Sequence, residues 1–435
     1  MTQQTGCKAP AEPRVQPAGG PAESAQNGPA GASFVVRSRG ATIVAQGCRQ
    51  VLHTAPGRVA ADAAHLLRHL SEGPRLLVGA LPFDVAEAPH LYQPQALAPA
   101  EALRAASQSA TPPSAPLPAG GWRLGERPSA GAYRNAVARA LALIAAGAGD
   151  DAGELGDAGA LSKVVLARGL DLEADRPIDI AALLRRLGAD PAVTAFCVPL
   201  PADARMAAAT ATRHLVGASP ELLVSRRGDR VTSHPLAGSA RRLADSAADR
   251  ASAEALLASE KDHREHGVVV EAILDMLAPL CRELGAPEGT TLASTLSMWH
   301  LGTRIEGRLK DPETSSLALA ALLHPTPAVC GTPRAAAAAA IAALEPEPRG
   351  FYAGAVGWCD AAGEGDWWVA IRCADVCGSR ARLFAGAGIV AGSDPVAETE
   401  ETGAKFAALL AALGVPASAL PPHDTPATAR PAENT

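Results

Sequence analysis

The chain is predicted to adopt an α+β fold built around a large antiparallel sheet, and three observations carry that expectation. Segments 351–359, 366–376 and 382–390 are apolar stretches joined by turns at Gly363/Gly365 and Gly378. Connections this short permit only antiparallel neighbours. The middle segment is apolar on both faces, with Trp367, Val369 and Ile371 on one and Trp368 and Ala370 on the other. It is therefore expected to be a central strand covered on both sides. Finally, no GxGxxG leads from a strand into a helix and no Walker A sequence occurs, which argues against a doubly wound nucleotide-binding fold.

The remaining elements follow in chain order. Residues 1–32 and 416–435 are rich in Pro and Ala and show no hydrophobic period; both are expected to be disordered, leaving 33–415 as the folded body. Segment 105–121 reads as a surface loop, and 147–159 as a flexible acidic insertion. Strands are expected at 163–172 and 214–218. Segments 222–225 and 231–234 flank Arg227-Gly228-Asp229 as a hairpin. From 248 to 284 the pattern is helical, with Val269, Ile273, Met276, Leu277 and Leu280 on one stripe. Thr332-Pro333 supplies an N-cap and first-turn proline for a helix ending at Leu344, and Ser393-Asp394-Pro395 starts the last helix.

Composition limits the function. Hydrophobic residues make up 48% of the chain and aromatics only 3%, so the core is built chiefly from Ala, Leu and Val. A net charge of −6 without Lys/Arg runs argues against nucleic-acid and membrane-surface partners. The longest apolar run, 335–344, is shorter than the roughly 20 residues that span a bilayer, and residues 1–32 hold no apolar signal core. Eight scattered cysteines without CxxC pairs read as reduced thiols rather than a disulfide frame or zinc site. A cytoplasmic protein is expected.

Chemistry concentrates in the last third of the chain. Glu398, Glu401 and Lys405 stand at i, i+3 and i+7, on one face of the final helix. A second carboxylate cluster, Lys261-Asp262-His263-Arg264-Glu265-His266, lies on the long helix. Two helices each offering a Glu make a hard-oxygen site suited to Mg²⁺, although a solvated charged face would show the same spacing. Arg372 falls inside a strand expected to be covered, so it requires an anion. Gly386 and Gly388 would let backbone amides approach a ligand anion.

In order along the chain stand KVVLAR (163–168), GASPELL (217–223), HPLAGSARR (234–242), EKDHREH (260–266), LHPTPAVCG (323–331), GWCD (357–360), FAGAGIV (384–390) and ETGAK (401–405). Together they resemble the chorismate-utilising enzymes, the family of anthranilate synthase component I, and among these the isochorismate synthases. The resemblance implies one body of two packed antiparallel sheets flanked by helices, with 33–415 as the catalytic domain. It implies Lys163 as the base that activates water and Glu221 as the acid that protonates the leaving C4 hydroxyl of chorismate. Glu265 and Glu401 would be Mg²⁺ ligands, with Glu398 and Asp262 close behind. Arg372 and Lys405 would hold substrate carboxylates with amides near Gly386 and Gly388, and Gly238, Ser239 and His300 would line the pocket. The chain departs from the family at Val329, where isochorismate synthases often carry Leu beside the substrate ring.

On this reading chorismate is the small-molecule partner, no glutaminase subunit is expected, and the enzyme is a monomer. Its product would feed siderophore, salicylate/2,3-dihydroxybenzoate or menaquinone biosynthesis. Salicylate synthases perform the same first step and then eliminate pyruvate, but generally read LAGTR where this chain has Leu236 to Ala240 as LAGSA. Amine-adding relatives usually lack a lysine at position 163. A non-catalytic chorismate-binding protein is the alternative of another class.

Overall fold

The computed structural model describes residues 33–39, 42–98, 121–147, 160–202 and 211–415. Apart from edge residues, the terminal segments 1–32 and 416–435, loop 105–121 and insertion 147–159 lie outside them.

Two antiparallel sheets dominate, one of ten strands and one of nine, with a third of three strands. The long strand Lys163–Ala174 is held in the ten-stranded sheet between Arg380–Val390 on one edge and Trp122–Arg127 and Gly331–Thr332 on the other. The largest core forms where the sheets face each other. It joins Phe34, Phe196 and Leu215 of the ten-stranded sheet to Leu77, Val224 and Trp367 of the nine-stranded one. Helices Ile180–Leu187 and Pro395–Leu413 close a second core over Leu170, Val216 and Leu383. Ala130–Gly147 and Arg334–Leu344 cover Val164, Leu166 and Ile389. No helix among the described residues is long and apolar enough to cross a membrane.

Several expectations about individual elements are corrected. The stretch 366–376 is not one central strand. Gly365–Val369 belongs to the nine-stranded sheet, between Leu222–Arg227 and Ala355–Asp360, while Cys373–Cys377 pairs with Arg213–Ser219 and Arg380–Val390 in the other. The chain changes sheets at Ala370–Ile371–Arg372, and Arg372 sits at φ 50°, a left-handed conformation that costs a non-glycine residue energy. Both halves are covered on both faces, so the apolar pattern runs unbroken through the crossover. The strand expected from 351 begins only at Ala355.

The long helix is likewise two, Ser246–Ala258 and Glu260–Leu277, followed by a strand at Cys281–Gly285. Ser259 ends the first and caps the second, its Oγ accepting the Asp262 N–H at 3.2 Å. At the helix Arg334–Leu344, Pro333 occupies the N-cap, and Thr332 instead pairs with Lys163. The final helix starts as expected, with the Asp394 carboxylate accepting the Val396 and Ala397 amides and Pro395 in the first turn.

Candidate active site

A cleft of about 730 Å³, counting its mouth, is lined by the ten-stranded and three-stranded sheets, by two helices and by the connections that run between the two large sheets. Each wall carries residues singled out by the sequence. Glu221 lies between two strands of the core, Gly238 and Ser239 on Leu236–Arg241, and His300 on Met298–Thr303. Glu265 comes from Glu260–Leu277, Glu401 and Lys405 from Pro395–Leu413, and Arg372 from the crossover. Gly386 and Gly388 form the edge of Arg380–Val390.

The two glycines turn their amides toward this opening. Val165 donates its N–H to Cys330 O and Ala167 donates to Glu345 Oε1, both away from the glycine strand. Their cross-strand partners Gly388 and Gly386 must therefore direct their own amides to the opposite edge. Along that edge, pairing with Cys373–Cys377 ends at Leu383. A Cβ at position 388 would lie 2.2 Å from Glu265 Oε1, so glycine there also makes room for the carboxylate.

Lys163 is 1% exposed and lies behind the lining, its Nζ 3.0 Å from Glu265 Oε1. That contact is within ion-pair range but outside hydrogen-bonding alignment. The charged group in direct contact with Lys163 is thus a carboxylate. Glu401 accepts from Ser239 Oγ at 2.9 Å and pairs with Lys405 Nζ at 2.6 Å, while Lys405 also donates to Gly386 O at 2.9 Å. Burial would raise the Glu401 carboxyl, but Lys405 and the Ser239 hydroxyl hold it below the ordinary value.

Glu398 sits outside the lining. It is buried at 2% exposure and accepts from Lys261 Nζ at 2.9 Å, tying the two carboxylate-bearing helices together. A solvated charged face is thereby ruled out.

Burial pushes the Glu221 carboxyl up to about 8, against the opposing pull of the Leu236 backbone, Lys163 and Arg372. It carries its proton at neutral pH and can act as a donor. His300 is driven well below its ordinary value by burial and by the charges of Arg372 and Lys405, so its imidazole is neutral. Its Nε2 faces Arg372 Nη2 at 3.4 Å.

Because Glu221 holds its proton in the folded protein to higher pH than in the unfolded chain, its contribution to stability is full below the ordinary carboxyl range. That contribution is lost as pH rises toward about 8. Relative to Glu221→Gln, the wild-type protein should lose stability between pH 5 and pH 9, at about 1.4 kcal/mol per tenfold change in proton affinity. Urea titrations of both proteins across that range check it; parallel curves would refute the buried proton.

The donor set fits a hard divalent cation. Burial raises the carboxyls of Asp262 and Glu398, and like charges add to it: Glu265 and Glu401 at Asp262, and Glu401 at Glu398. Four carboxylates on two helices thus feel one another, and Glu265 and Glu401 face the cleft. No group of three or more His, Cys, Asp or Glu stands in metal-holding geometry among the described residues. Two carboxylates nevertheless suffice for Mg²⁺, which retains water and substrate oxygens in its shell.

The sequence reading missed the cleft's aromatic wall. Tyr352 and Phe384 stack there with centroids 4.7 Å apart and planes 10° from parallel. The available signal was rarity, since the chain has three tyrosines and six phenylalanines.

Residues 126–414 match the family described as chorismate binding enzyme. Isochorismate synthase DhbC of Bacillus subtilis is 42% identical over 84% of this chain and 87% of its own length. Isochorismate synthase EntC of Escherichia coli is 42% identical over 78% and 81%. The crystal structure of DhbC from Bacillus anthracis superposes with a TM-score of 0.77 at 38% identity, covering 88% of this chain and 97% of that one. Escherichia coli MenF, the menaquinone-specific isochorismate synthase, superposes at 0.70 with 25% identity, over 93% and 95%. Anthranilate synthase component I of Streptococcus pneumoniae shares the fold, at 0.61 and 20% identity over 94% of each chain. With the family model matched along two thirds of its length and relatives 42% identical over most of both chains, the chain belongs to the chorismate-binding enzyme family.

Proposed function

We propose that the protein is an isochorismate synthase, an isomerase that adds water at C2 of chorismate and expels the C4 hydroxyl. The observation that carries this reading is the placement of Glu221, a carboxyl 2% exposed on the cleft wall, where burial raises it above the ordinary carboxyl range. The relatives named above support it.

In this reading Lys163 takes a proton from water as the oxygen joins C2, the ring double bonds shift, and Glu221 gives its proton to the departing C4 hydroxyl. One water enters and one leaves, with no change in oxidation state. A base and an acid at opposite ends of one diene are what the reaction requires. Arg372 and Lys405, with the Gly386 and Gly388 amides, hold the substrate carboxylates. Neutral His300 borders the ring without adding charge, and Gly238 and Ser239 complete that wall. Glu265 and Glu401 would hold Mg²⁺, with Glu398 and Asp262 behind them. The ion, when bound, supplies positive charge to a substrate carboxylate. Arg372→Ala should raise KM well over tenfold with a smaller change in kcat, because it removes a carboxylate partner in ground and transition states alike. Steady-state kinetics check it, and an unchanged KM would reassign the residue.

The product distinguishes this activity from salicylate synthesis. Ser239, which lines the cleft, leaves a smaller wall there than threonine would, so isochorismate should depart before its enolpyruvyl group is eliminated. Chromatography of a long incubation with chorismate and Mg²⁺ should give a chorismate/isochorismate mixture, also reached from isochorismate. Stoichiometric pyruvate in a coupled lactate dehydrogenase assay would make the protein a salicylate synthase. Retention of chorismate without any turnover would make it a binding protein.

A further inference from the structure

Behind the cleft, on the outer edge of Lys163–Ala174, lies a buried ion pair that the chemistry proposed above does not use. Arg349 and Glu345 have side chains 3% and 7% exposed and are in direct contact. Arg349 Nε also donates to Glu345 Oε2 at 2.9 Å. The other end of the guanidinium is divided between two carbonyls, Nη1 to Val329 O and Nη2 to Val165 O, each at 2.7 Å. Glu345 Oε1 in turn accepts the Ala167 amide at 2.8 Å. The Arg349 carbonyl accepts the Tyr352 N–H at 3.1 Å, and the guanidinium carbon lies over the Phe83 ring, 4.3 Å from its centre.

Val165, Val329 and Tyr352 come from three separate segments, and all three line the cleft. The pair also replaces strand pairing. The two-residue strand Gly331–Thr332 covers the edge only at Lys163 and Val164, and beyond it the backbone groups of Val165 and Ala167 are satisfied by Cys330, Arg349 and Glu345.

We infer that Arg349, aligned by Glu345, is a positioning residue that fixes three walls of the cleft around the substrate ring. It touches no reacting atom. A planar fork can bind two carbonyls and a carboxylate at once; an ammonium has the charge without that geometry. The inference rests on the chorismate reading of the cleft.

Two variants test it. Arg349→Lys keeps the charge opposite Glu345 and loses the fork. The double variant Arg349→Met/Glu345→Gln removes both buried charges together, which a core tolerates far better than one left unpaired. Each should raise KM for chorismate roughly tenfold or more, since misplacing a wall by a fraction of an ångström weakens binding throughout. The change in kcat should be several times smaller, and the double variant should still melt cooperatively. A cooperatively melting variant with wild-type KM would overturn the inference, as would a fall in kcat alone. Failure of the wild-type enzyme to turn over chorismate would instead sink the functional reading, so the two failures are distinguishable.

Discussion

Glu221→Gln should lower kcat by roughly 10²–10⁴-fold while leaving KM within a few-fold of wild type. The substitution keeps the side chain's size and its capacity to donate a hydrogen bond, and removes only the transferable proton. That proton is what the site prepares. The carboxyl is 2% exposed, and burial outweighs the opposing charges of Lys163 and Arg372 to set it at about 8. A general acid is effective only while protonated, so wild-type kcat/KM should decline as pH rises through about 8. The variant's residual activity should lack that alkaline limb. Lys163→Ala should produce a comparable fall in kcat from the opposite end of the reaction, since in the proposed mechanism it removes the base that activates water. Steady-state kinetics across pH 6–10 check both. A Glu221→Gln enzyme with near wild-type kcat would move the acid elsewhere, and a Lys163→Ala enzyme with near wild-type kcat would move the base.

Much of the site was legible because its residues lie in contiguous motifs on regular elements. Glu401 and Lys405 are one helical turn apart and meet at 2.6 Å. Glu265 stands on a face whose apolar stripe, Val269, Ile273 and Leu277, is buried as expected. Relations between elements were harder to read. Period-two patterning records that a residue is covered, not which sheet covers it, so 366–376 looked like one strand although the chain changes sheets at Arg372. Spacing put Glu398 on a face with Glu401, but only the meeting of two helices gives it Lys261 as a partner. In the same way, nothing local to Lys163 indicates that Glu265, a hundred positions away, will lie 3.0 Å from its ammonium. The break at Ser259 was hidden because no Pro or Gly marks it: two helix-forming segments meet at a single serine. Arg349 and Glu345 were overlooked for the opposite reason: their i,i+4 spacing is that of an ordinary surface pair, and only the tertiary fold buries them.

Removing divalent metal should abolish turnover, restorably, while shifting the melting temperature by no more than a few degrees. The fold does not depend on the ion for its charge balance. Glu265 faces Lys163, Glu398 faces Lys261, and Glu401 faces both Lys405 and Ser239. The helices bearing these carboxylates are anchored independently. Val269, Ile273 and Leu277 enter the inter-sheet core, and Phe406, Leu409 and Leu410 enter the core over the ten-stranded sheet. A structural metal contributes directly to folding because its ligands have no other partners; here each glutamate has one. Chorismate brings two further carboxylates into a cleft already lined by Glu265 and Glu401, and only Arg372 and Lys405 among the lining cations oppose that charge. In the proposed mechanism substrate binding is therefore the event that calls for the ion. Calorimetric melting and chorismate turnover should be measured in excess chelator and again after Mg²⁺ is restored. Full turnover in chelator would remove the metal from the reaction. A loss of cooperative melting in chelator would make the ion a structural element rather than a clamp on substrate.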